Sequence, residues 1–176
     1  TGVSRIEIDM DDYLNKLAGR LGKSAQVMRT MELKAQSAPK RIVYAEGEHP
    51  KIIRAAYAVQ AQGIATPILI GREDEVRHQI EELSLDFSPL IIHPPQAEKR
   101  NAYVDAYYQR RQRGGVTRAR AGELLRQANY FGPMMVDQGD ADCFISGLTY
   151  NYPEVLRPAL RVIGAQEGRW VSGVYL

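Results

Sequence analysis

Hydrophobic residues from position 40 onward fall alternately into short continuous runs and into helical spacing. The continuous runs predict β-strands at 41–45, 67–70, 90–92, 142–146 and 170–175. The helical spacing predicts helices over 51–62, 73–83, 96–111, 118–128, 130–138 and 153–163. Strands that alternate with helices indicate an α/β fold with a mostly parallel sheet, and strands this apolar indicate that helices cover both faces. We therefore expect a three-layer αβα domain.

Residues 1–38 follow a different pattern, with helical spacing and no strand-like run. One helix is predicted between Asp11 and Gly22. A second, which Ser24 can cap, should end before Pro39, because the residue preceding a proline avoids helical backbone angles. We expect a helical arm or linker at 1–38 and the main domain at 39–176. A structured N-terminal part of that domain is the alternative.

Charge and cysteine content exclude several classes of protein. Lys and Arg number 23 and Asp and Glu 21, so the net charge of +2 argues against a dedicated nucleic-acid binder. Cys143 is the single cysteine, which excludes an intramolecular disulfide, and its place in an apolar strand predicts burial. No apolar stretch reaches the roughly 18 residues of a membrane helix, and no signal peptide opens the chain. We expect a cytoplasmic protein with no membrane partner.

Ligands of parallel α/β sheets bind beyond the carboxyl ends of the strands. The loops that leave those ends are 46–50, 71–72, 93–95 and 147–152. In the first loop Glu46 and Glu48 flank Gly47, and we expect their carboxylates to cap the helix that starts near Pro50. A catalytic carboxylate pair is not favoured, because no third group is evident that would give the two carboxyls different roles.

An arginine-rich stretch spans 110–120 and is interrupted by Gly114-Gly115. Guanidinium groups suit phosphate and carboxylate, and a glycine pair before a helix leaves backbone N–H donors free. The stretch therefore indicates either a site for a phosphate-bearing ligand or a solvated basic helix end. The sequence contains neither a Walker motif nor a Gly-x-Gly-x-x-Gly fingerprint.

A second candidate anion site follows the predicted strand 142–146. Ser146, Gly147 and Thr149 are small enough to leave room for a ligand, and Arg157 follows on the next helix. A hydroxyl and an arginine together can hold an anion. The alternative is a helix-entry turn capped by Thr149 or Asn151.

Other polar residues give weaker signals. Asp140 and Asp142 have a spacing that fits a turn before the strand better than a metal site. His49 and His93 lie in strand-end loops, but no nucleophile paired with a base and no Gly-x-Ser-x-Gly elbow is evident. No catalytic residue and no metal ligand is assigned from the sequence.

Four motifs occur in an order that resembles one known family. They are KRIVYAEGEHPKIIRAA (40–56), TPILIGRE (66–73), RGGVT (113–117) and YFGPMMVDQGDADCFISGLTYNYPEVLRPALRVIG (130–164). Together they resemble the N-terminal part of the phosphate acetyl/butyryl transferase family, whose fold is similar to that of isocitrate and isopropylmalate dehydrogenases. The resemblance covers 40–176 and implies the first half of the family's usual domain.

The opening of the chain narrows this resemblance. TGVSRIEIDMDDYLNKLAGRLG, followed by a helix and SAPKRIVYAEGE, resembles the junction in hybrid NADP-dependent malic enzymes of the MaeB type, where a malic enzyme domain precedes a transferase-like domain. Since the chain starts at Thr1 and stops on an apolar run, both ends are expected to lie within such a longer enzyme. The resemblance implies that the whole enzyme decarboxylates malate oxidatively to pyruvate. NADP and a Mg or Mn ion would bind upstream, with no cofactor held by this chain.

The resemblance also implies which residues line an acyl-CoA and phosphate cleft. They are Arg111, with Arg113 as its alternative, Ser146, Gly147, Thr149 and Arg157. Gly114 departs from the family's pattern, which has a basic residue there. The family's Ser-Arg active-site pair lies further along than this chain.

The resemblance implies a regulatory and oligomerisation domain that binds acetyl-CoA or another acyl-CoA and forms homo-oligomers. Two alternatives stay open. One is an active phosphate acetyltransferase that moves acetyl between CoA and phosphate, and the other is a structural scaffold whose arginines serve ion pairs.

Overall fold

The chain divides into two units, Thr1–Ala38 and Pro39–Leu176. The computed structural model describes residues 23–165 together with Gly168 and Val171. In the first unit the described helix is α1 (Lys23–Ser37), which confirms the predicted helix that ends before Pro39, although Ser24 lies inside the helix and not at its cap. The other predicted helix of this unit, between Asp11 and Gly22, lies outside the described residues.

Four short strands form one parallel sheet in the described part of the second unit. They are β1 (Lys40–Tyr44), β2 (Ala65–Ile70), β3 (Leu90–Ile92) and β4 (Cys143–Ile145). Their order is β3-β2-β1-β4, and Val43 of β1 lies opposite Ile68 of β2 and Phe144 of β4. The chain therefore runs outward from β1 to β3 and then returns to place β4 on the other side of β1.

Helices cover both faces of this sheet. They are α2 (Pro50–Ala61), α3 (Glu73–Glu82), α4 (Arg100–Arg111), α5 (Arg118–Leu124), α6 (Ala128–Asp137) and α7 (Tyr152–Val162). Core residues of α2 and α3 pack on one face, and core residues of α4 to α7 pack on the other. The three-layer αβα architecture with a parallel sheet confirms the predicted fold class.

Alternate strand residues enter the two cores because successive side chains of a strand point to opposite faces. Val43 and Ile68 contribute to the larger core, together with Tyr107 and Phe131. Tyr44 and Leu69, the next residues along, contribute to the smaller core with Ile53. The apolar character of both strand faces, seen in the sequence, is thus explained by two cores of unequal size.

The helix boundaries differ from the predicted ones at two places. The helix expected over 96–111 begins only at Arg100, because Pro94–Gln96 forms a separate 3₁₀ turn whose cap, Ala97, has extended backbone angles. The helix expected over 118–128 ends at Leu124, and the extended backbone of Gln127 starts a new helix. The strand expected at 170–175 lies outside the described residues apart from Val171.

The prediction that Cys143 is buried is wrong. Its side chain is exposed, because β4 is an edge strand of the sheet that the described residues form. An apolar run does not distinguish a central strand from an edge strand.

The two aspartates before β4 hold the amino end of the sheet together. Asp142 accepts hydrogen bonds from the backbone N–H and the guanidinium of Arg41 on β1, and these bonds lower the pKa of its carboxyl to about 2. Asp140 accepts from Lys99 and from the Tyr103 hydroxyl. Both therefore serve the turn that precedes β4, as their spacing indicated.

Candidate functional site

The carboxyl ends of the strands open into a cleft of about 860 Å³. Its wall is formed by strand ends and helix beginnings, at 45–50, 70–71, 93–95, 126–130 and 149–150, and by one side of α7. The cleft lies where the strand order reverses between β1 and β4, which is the usual ligand position in open α/β sheets. The strand-end loops predicted from sequence thus converge on one place.

Glu46 joins the loop after β1 to the loop after β4. Its carboxylate accepts hydrogen bonds from the N–H of Gly147 (3.1 Å), the N–H of Thr149 and the hydroxyl of Thr149 (2.9 Å). Burial alone would raise the pKa of Glu46, but the hydrogen bonds from Thr149 and from the neighbouring backbone outweigh it, so the pKa is lowered. The ionised carboxylate therefore fixes the shape of the 146–150 loop.

Acidification is expected to weaken this contact, because the pKa of Glu46 is lower in the folded than in the unfolded chain. Its stabilisation is complete above pH 4.5, the ordinary value, and is lost as the pH falls through the lower folded-state value. Glu46→Gln should cost about 1 kcal/mol near neutral pH, and the difference from wild type should shrink below pH 4.5. Urea unfolding of both proteins at several pH values measures this.

The matched control is Glu81→Gln, at an exposed carboxylate outside the cleft. It should change the urea midpoint little at any pH. A difference between Glu46→Gln and wild type that stays constant down to pH 3 would contradict the role given to the ionised carboxylate.

The expectation that Glu46 and Glu48 cap the helix after them is wrong. The Nδ1 atom of His49 caps α2 by accepting the N–H of Lys51 at 3.1 Å, and the first turn of α2 holds no acidic residue. Glu48 instead accepts the backbone N–H of Arg72 at 2.8 Å and its Nε at 3.3 Å. The two carboxylates therefore tie strand-end loops to one another, a role that depends on the strand order.

The predicted residues of the 146–150 loop occupy different positions. Thr149 lines the cleft, whereas Ser146 and Gly147 are not among its lining residues in the described structure. The Ser146 hydroxyl donates to Oδ1 of Asn129 at 2.7 Å. Because Glu46 holds the donors of Gly147 and Thr149, this loop offers few free donors to a ligand.

The predicted arginines also separate. Arg157 lines the cleft, together with two arginines that the sequence analysis did not assign, Arg126 and Arg161. Arg113 instead lines a separate depression of about 610 Å³, formed by residues 108, 112–113 and 115–118. Arg111 lines none of the described cavities, but it acts electrostatically on the buried Tyr107.

The buried phenol of Tyr107 lies within the electrostatic influence of three arginines. Burial raises the pKa of its phenol, and the nearby Tyr130 raises it further, whereas the charges of Arg111, Arg161 and Arg120 lower it. The rings of Tyr107 and Tyr130 pack edge to face with centroids 5.9 Å apart. Arg161 in turn donates to the Tyr130 hydroxyl at 3.2 Å. Arg111 and Arg161 therefore both act on Tyr107, although only Arg161 lines the cleft.

The carboxylates and the arginines of the cleft differ in their hydrogen-bond partners. Glu46 and Glu48 accept the bonds described above, and Glu154 accepts the N–H of Asn151 at 2.8 Å. By contrast, Arg126 and Arg157 make no hydrogen bond or ion pair with any residue that the structure describes. Arg126 and Arg157 are therefore the charged side chains of the cleft that have no partner among the described residues, and such guanidinium groups suit an anionic ligand.

Sequence reasoning missed Arg126, Arg161 and Asn129. Arg161 had a usable signal, since it follows Arg157 by four positions on one helix and so shares its face. Arg126 and Asn129 had none, because the helix break beside them was predicted between 128 and 130, whereas the structure has it between Leu124 and Ala128. A group of three or more potential metal-ligating side chains does not occur among the described residues. Within the same part of the chain, no helix is long and apolar enough to cross a membrane.

Comparison with known proteins agrees with this geometry. The family model described as phosphate acetyl/butaryl transferase matches residues 26–176. A phosphate acetyltransferase of Thermoanaerobacterium thermosaccharolyticum is 35% identical over 142 residues, which cover 81% of this chain and 43% of that protein. An NADP-dependent malic enzyme of Rhizobium meliloti is 34% identical over 179 residues, which cover 99% of this chain and 24% of that enzyme.

Solved structures show the same likeness. The EutD phosphotransacetylase from Staphylococcus aureus matches with a TM-score of 0.75 and 34% identity, over 82% of this chain and 44% of that one. A phosphotransacetylase from Streptococcus pyogenes matches with a TM-score of 0.75 and 30% identity, over 78% of this chain and 42% of that one. The chain thus spans less than half the length of these relatives.

Proposed function

The chain belongs to the phosphate acetyl/butaryl transferase family, and on that premise we propose that it is part of a regulatory and oligomerisation domain of a hybrid NADP-dependent malic enzyme. One observation carries this proposal. The similarity to the Rhizobium meliloti malic enzyme covers 99% of the chain, whereas the transferase of Thermoanaerobacterium thermosaccharolyticum covers 81%. The N-terminal segment before residue 26, which the family model does not match, is thus nearly all included in the malic enzyme similarity.

The effector in this proposal is acetyl-CoA, bound in the cleft. Coenzyme A carries a diphosphate and a ribose phosphate, and phosphate oxygens suit the fork of an arginine. The uncompensated guanidinium groups of Arg126 and Arg157 support a ligand of this charge. The volume of about 860 Å³ is within the range of small-molecule sites.

Arg157→Gln is expected to weaken acetyl-CoA binding about tenfold without unfolding the chain, because Arg157 has no partner among the described residues to leave unpaired. Isothermal titration of acetyl-CoA into the 176-residue chain measures this. Arg77→Gln is the matched control, since Arg77 is 57% exposed and pairs with Glu73 on α3, away from the cleft. An affinity equal to wild type in the Arg157 variant, or no binding by wild type, would overturn the proposed ligand.

The second candidate is an active phosphate acetyltransferase, favoured by the 34% identity and TM-score of 0.75 to the Staphylococcus aureus phosphotransacetylase. In that reaction the CoA thiolate attacks the acetyl carbonyl of acetyl phosphate, the carbon–oxygen bond to phosphate breaks and phosphate leaves. Arg157, which lines the cleft, would position an anion, the role that the resemblance implied for it and for Arg111. Thioester formation from acetyl phosphate and CoA by the full-length enzyme would establish this activity, and its absence in a protein that binds acetyl-CoA favours the regulatory role. A scaffold would respond to no CoA ester.

The same proposal extends to the whole enzyme of which this chain would be a part. The whole enzyme would work in the cytoplasm as a homo-oligomer and convert malate to pyruvate with NADP and a Mg or Mn ion bound outside this chain. Sedimentation and malate kinetics of the full-length enzyme, with and without acetyl-CoA, test these parts together. An effect of acetyl-CoA on either measurement supports the regulatory role.

A further inference from the structure

The amino end of α6 forms part of the cleft wall and carries unused hydrogen-bond donors. Gln127, the cap residue, makes no side-chain cap bond, and its carbonyl accepts the N–H groups of Tyr130 and Phe131. The N–H groups of Ala128 and Asn129 have no acceptor among the described residues. Free N–H groups and the positive end of the helix dipole favour a bound anion.

The side chain of Asn129 adds an independent observation at the same place. It is the one buried polar residue of the described structure, 5% exposed, and it lines the cleft. Its Oδ1 accepts the hydroxyl of Ser146 at 2.7 Å, which leaves the Nδ2 hydrogens as the free end of the amide. Those hydrogens have no protein acceptor among the described residues, so the amide can donate to a ligand or to water in the cleft.

Two arginines flank this helix end. Arg126 precedes Gln127 in the chain and has no partner among the described residues. Arg161 reaches across from α7 and is oriented by the hydroxyl of Tyr130, the residue that follows Asn129. Backbone donors, a side-chain amide and two guanidinium groups therefore belong to residues that line the same cleft.

We propose that the amino end of α6, the Asn129 amide, Arg126 and Arg161 form a subsite for a phosphoryl group. A phosphoryl group presents several acceptor oxygens and carries the negative charge that these donors lack. The inference rests on the proposed function, in which the cleft takes a CoA ester, and adds which residues contact a phosphate. The phosphoryl group can belong to the CoA ester or to acetyl phosphate or inorganic phosphate, and these sources share the chemistry.

Asn129→Asp tests the subsite with little change of shape. The aspartate keeps an acceptor for the Ser146 hydroxyl but replaces the free amide donor by a negative oxygen. Binding of a phosphate-bearing probe should weaken at least about tenfold, because a donor is lost and a like charge is added. Asn101→Asp, the same substitution at an exposed position of α4, is the control and should alter affinity less than about twofold.

The probes are acetyl-CoA, its analogue without the 3′-phosphate, acetyl phosphate and inorganic phosphate, each titrated into the full 176-residue chain. Sensitivity to Asn129→Asp with acetyl-CoA but not with the analogue assigns the subsite to the 3′-phosphate. Sensitivity with both CoA compounds alone assigns it to the diphosphate, and sensitivity with the small phosphates assigns it to a free phosphoryl group. Each of these results supports the subsite.

Two further variants test the same subsite if Asn129→Asp does not fold. Arg126→Gln and Arg161→Gln are exposed changes, and each should weaken the same probe about tenfold. Unchanged affinity in all folded variants, while Arg157→Gln still loses acetyl-CoA, overturns the subsite and leaves the proposed function standing. Loss of acetyl-CoA binding by wild type with retained, Asn129-dependent phosphate binding overturns the proposed function alone. No binding of any probe overturns both.

Discussion

Phe131→Ala is expected to lower the free energy of unfolding by about 4 kcal/mol, the largest effect of any change considered for this chain. Phe131 is 1% exposed and packs in the larger core, with its ring centroid 5.1 Å from that of Tyr103. Removing the ring leaves a cavity between α4, α6 and the sheet that the neighbours cannot fill. Since domains of this size are stable by roughly 5–15 kcal/mol, the variant should approach the limit of folding.

Urea unfolding followed by far-UV circular dichroism measures this loss. The control is Tyr152→Ala, because Tyr152 is an aromatic residue on α7 that is 73% exposed, and its loss should cost less than about 0.5 kcal/mol. A loss below about 1 kcal/mol for Phe131→Ala would show that this ring is not packed as described. If the alanine variant does not fold, Phe131→Leu should still unfold at lower urea than wild type.

Gly47→Ala is expected to cost about 3 kcal/mol and to reduce acetyl-CoA binding as well. A methyl group at position 47 would lie 2.7 Å from the carbonyl oxygen of Ile70 and 2.8 Å from Cβ of Leu69. These atoms belong to the backbone and the stem of β2, so they cannot move away as the tip of a side chain can. The hydrogen bond from the Gly47 N–H to Ile70 would be strained by the same displacement.

The neighbouring residues explain why the effect extends to the ligand. Glu46 and Glu48 flank Gly47, and displacement of the turn would pull Glu46 from Thr149 and open the 146–150 loop. Gly114→Ala is the matched control, because a methyl group there meets nothing within 4 Å. Equal urea midpoints for Gly47→Ala and Gly114→Ala would contradict the close approach to β2.

The hydrophobic pattern predicted the fold class because the burial of each strand and helix determines which of its own residues are apolar. A continuous apolar run buries both faces of a strand, and apolar residues at every third or fourth position bury one side of a helix. Each element can therefore be recognised from consecutive residues. The helix break was predicted between 128 and 130 but lies between Leu124 and Ala128, because no glycine or proline marks its position. The edge position of Cys143 was missed because neighbours in a sheet are not neighbours in sequence.

The candidate site was predictable only in part. Thr149 and Arg157 were assigned from sequence and line the cleft, whereas Arg113 lines another depression and Arg111 lines neither. Glu46 was noticed, but its role was misassigned, because its partners lie about a hundred residues further along the chain. Asn129 was not noticed at all, since its burial depends on the packing of α6 against the loop after β4.

The sequence by itself determined the elements, their alternation, the parallel sheet covered on both sides and the loops in which a ligand site had to lie. The strand order β3-β2-β1-β4 was decided only in the tertiary structure. That order places the carboxyl ends of β1 and β4 side by side, and hence Glu46 against Thr149 and the amino end of α6 beside α7. The reason is physical: apolar strands can pair in many orders with similar local burial, and the choice depends on how all the helices pack together.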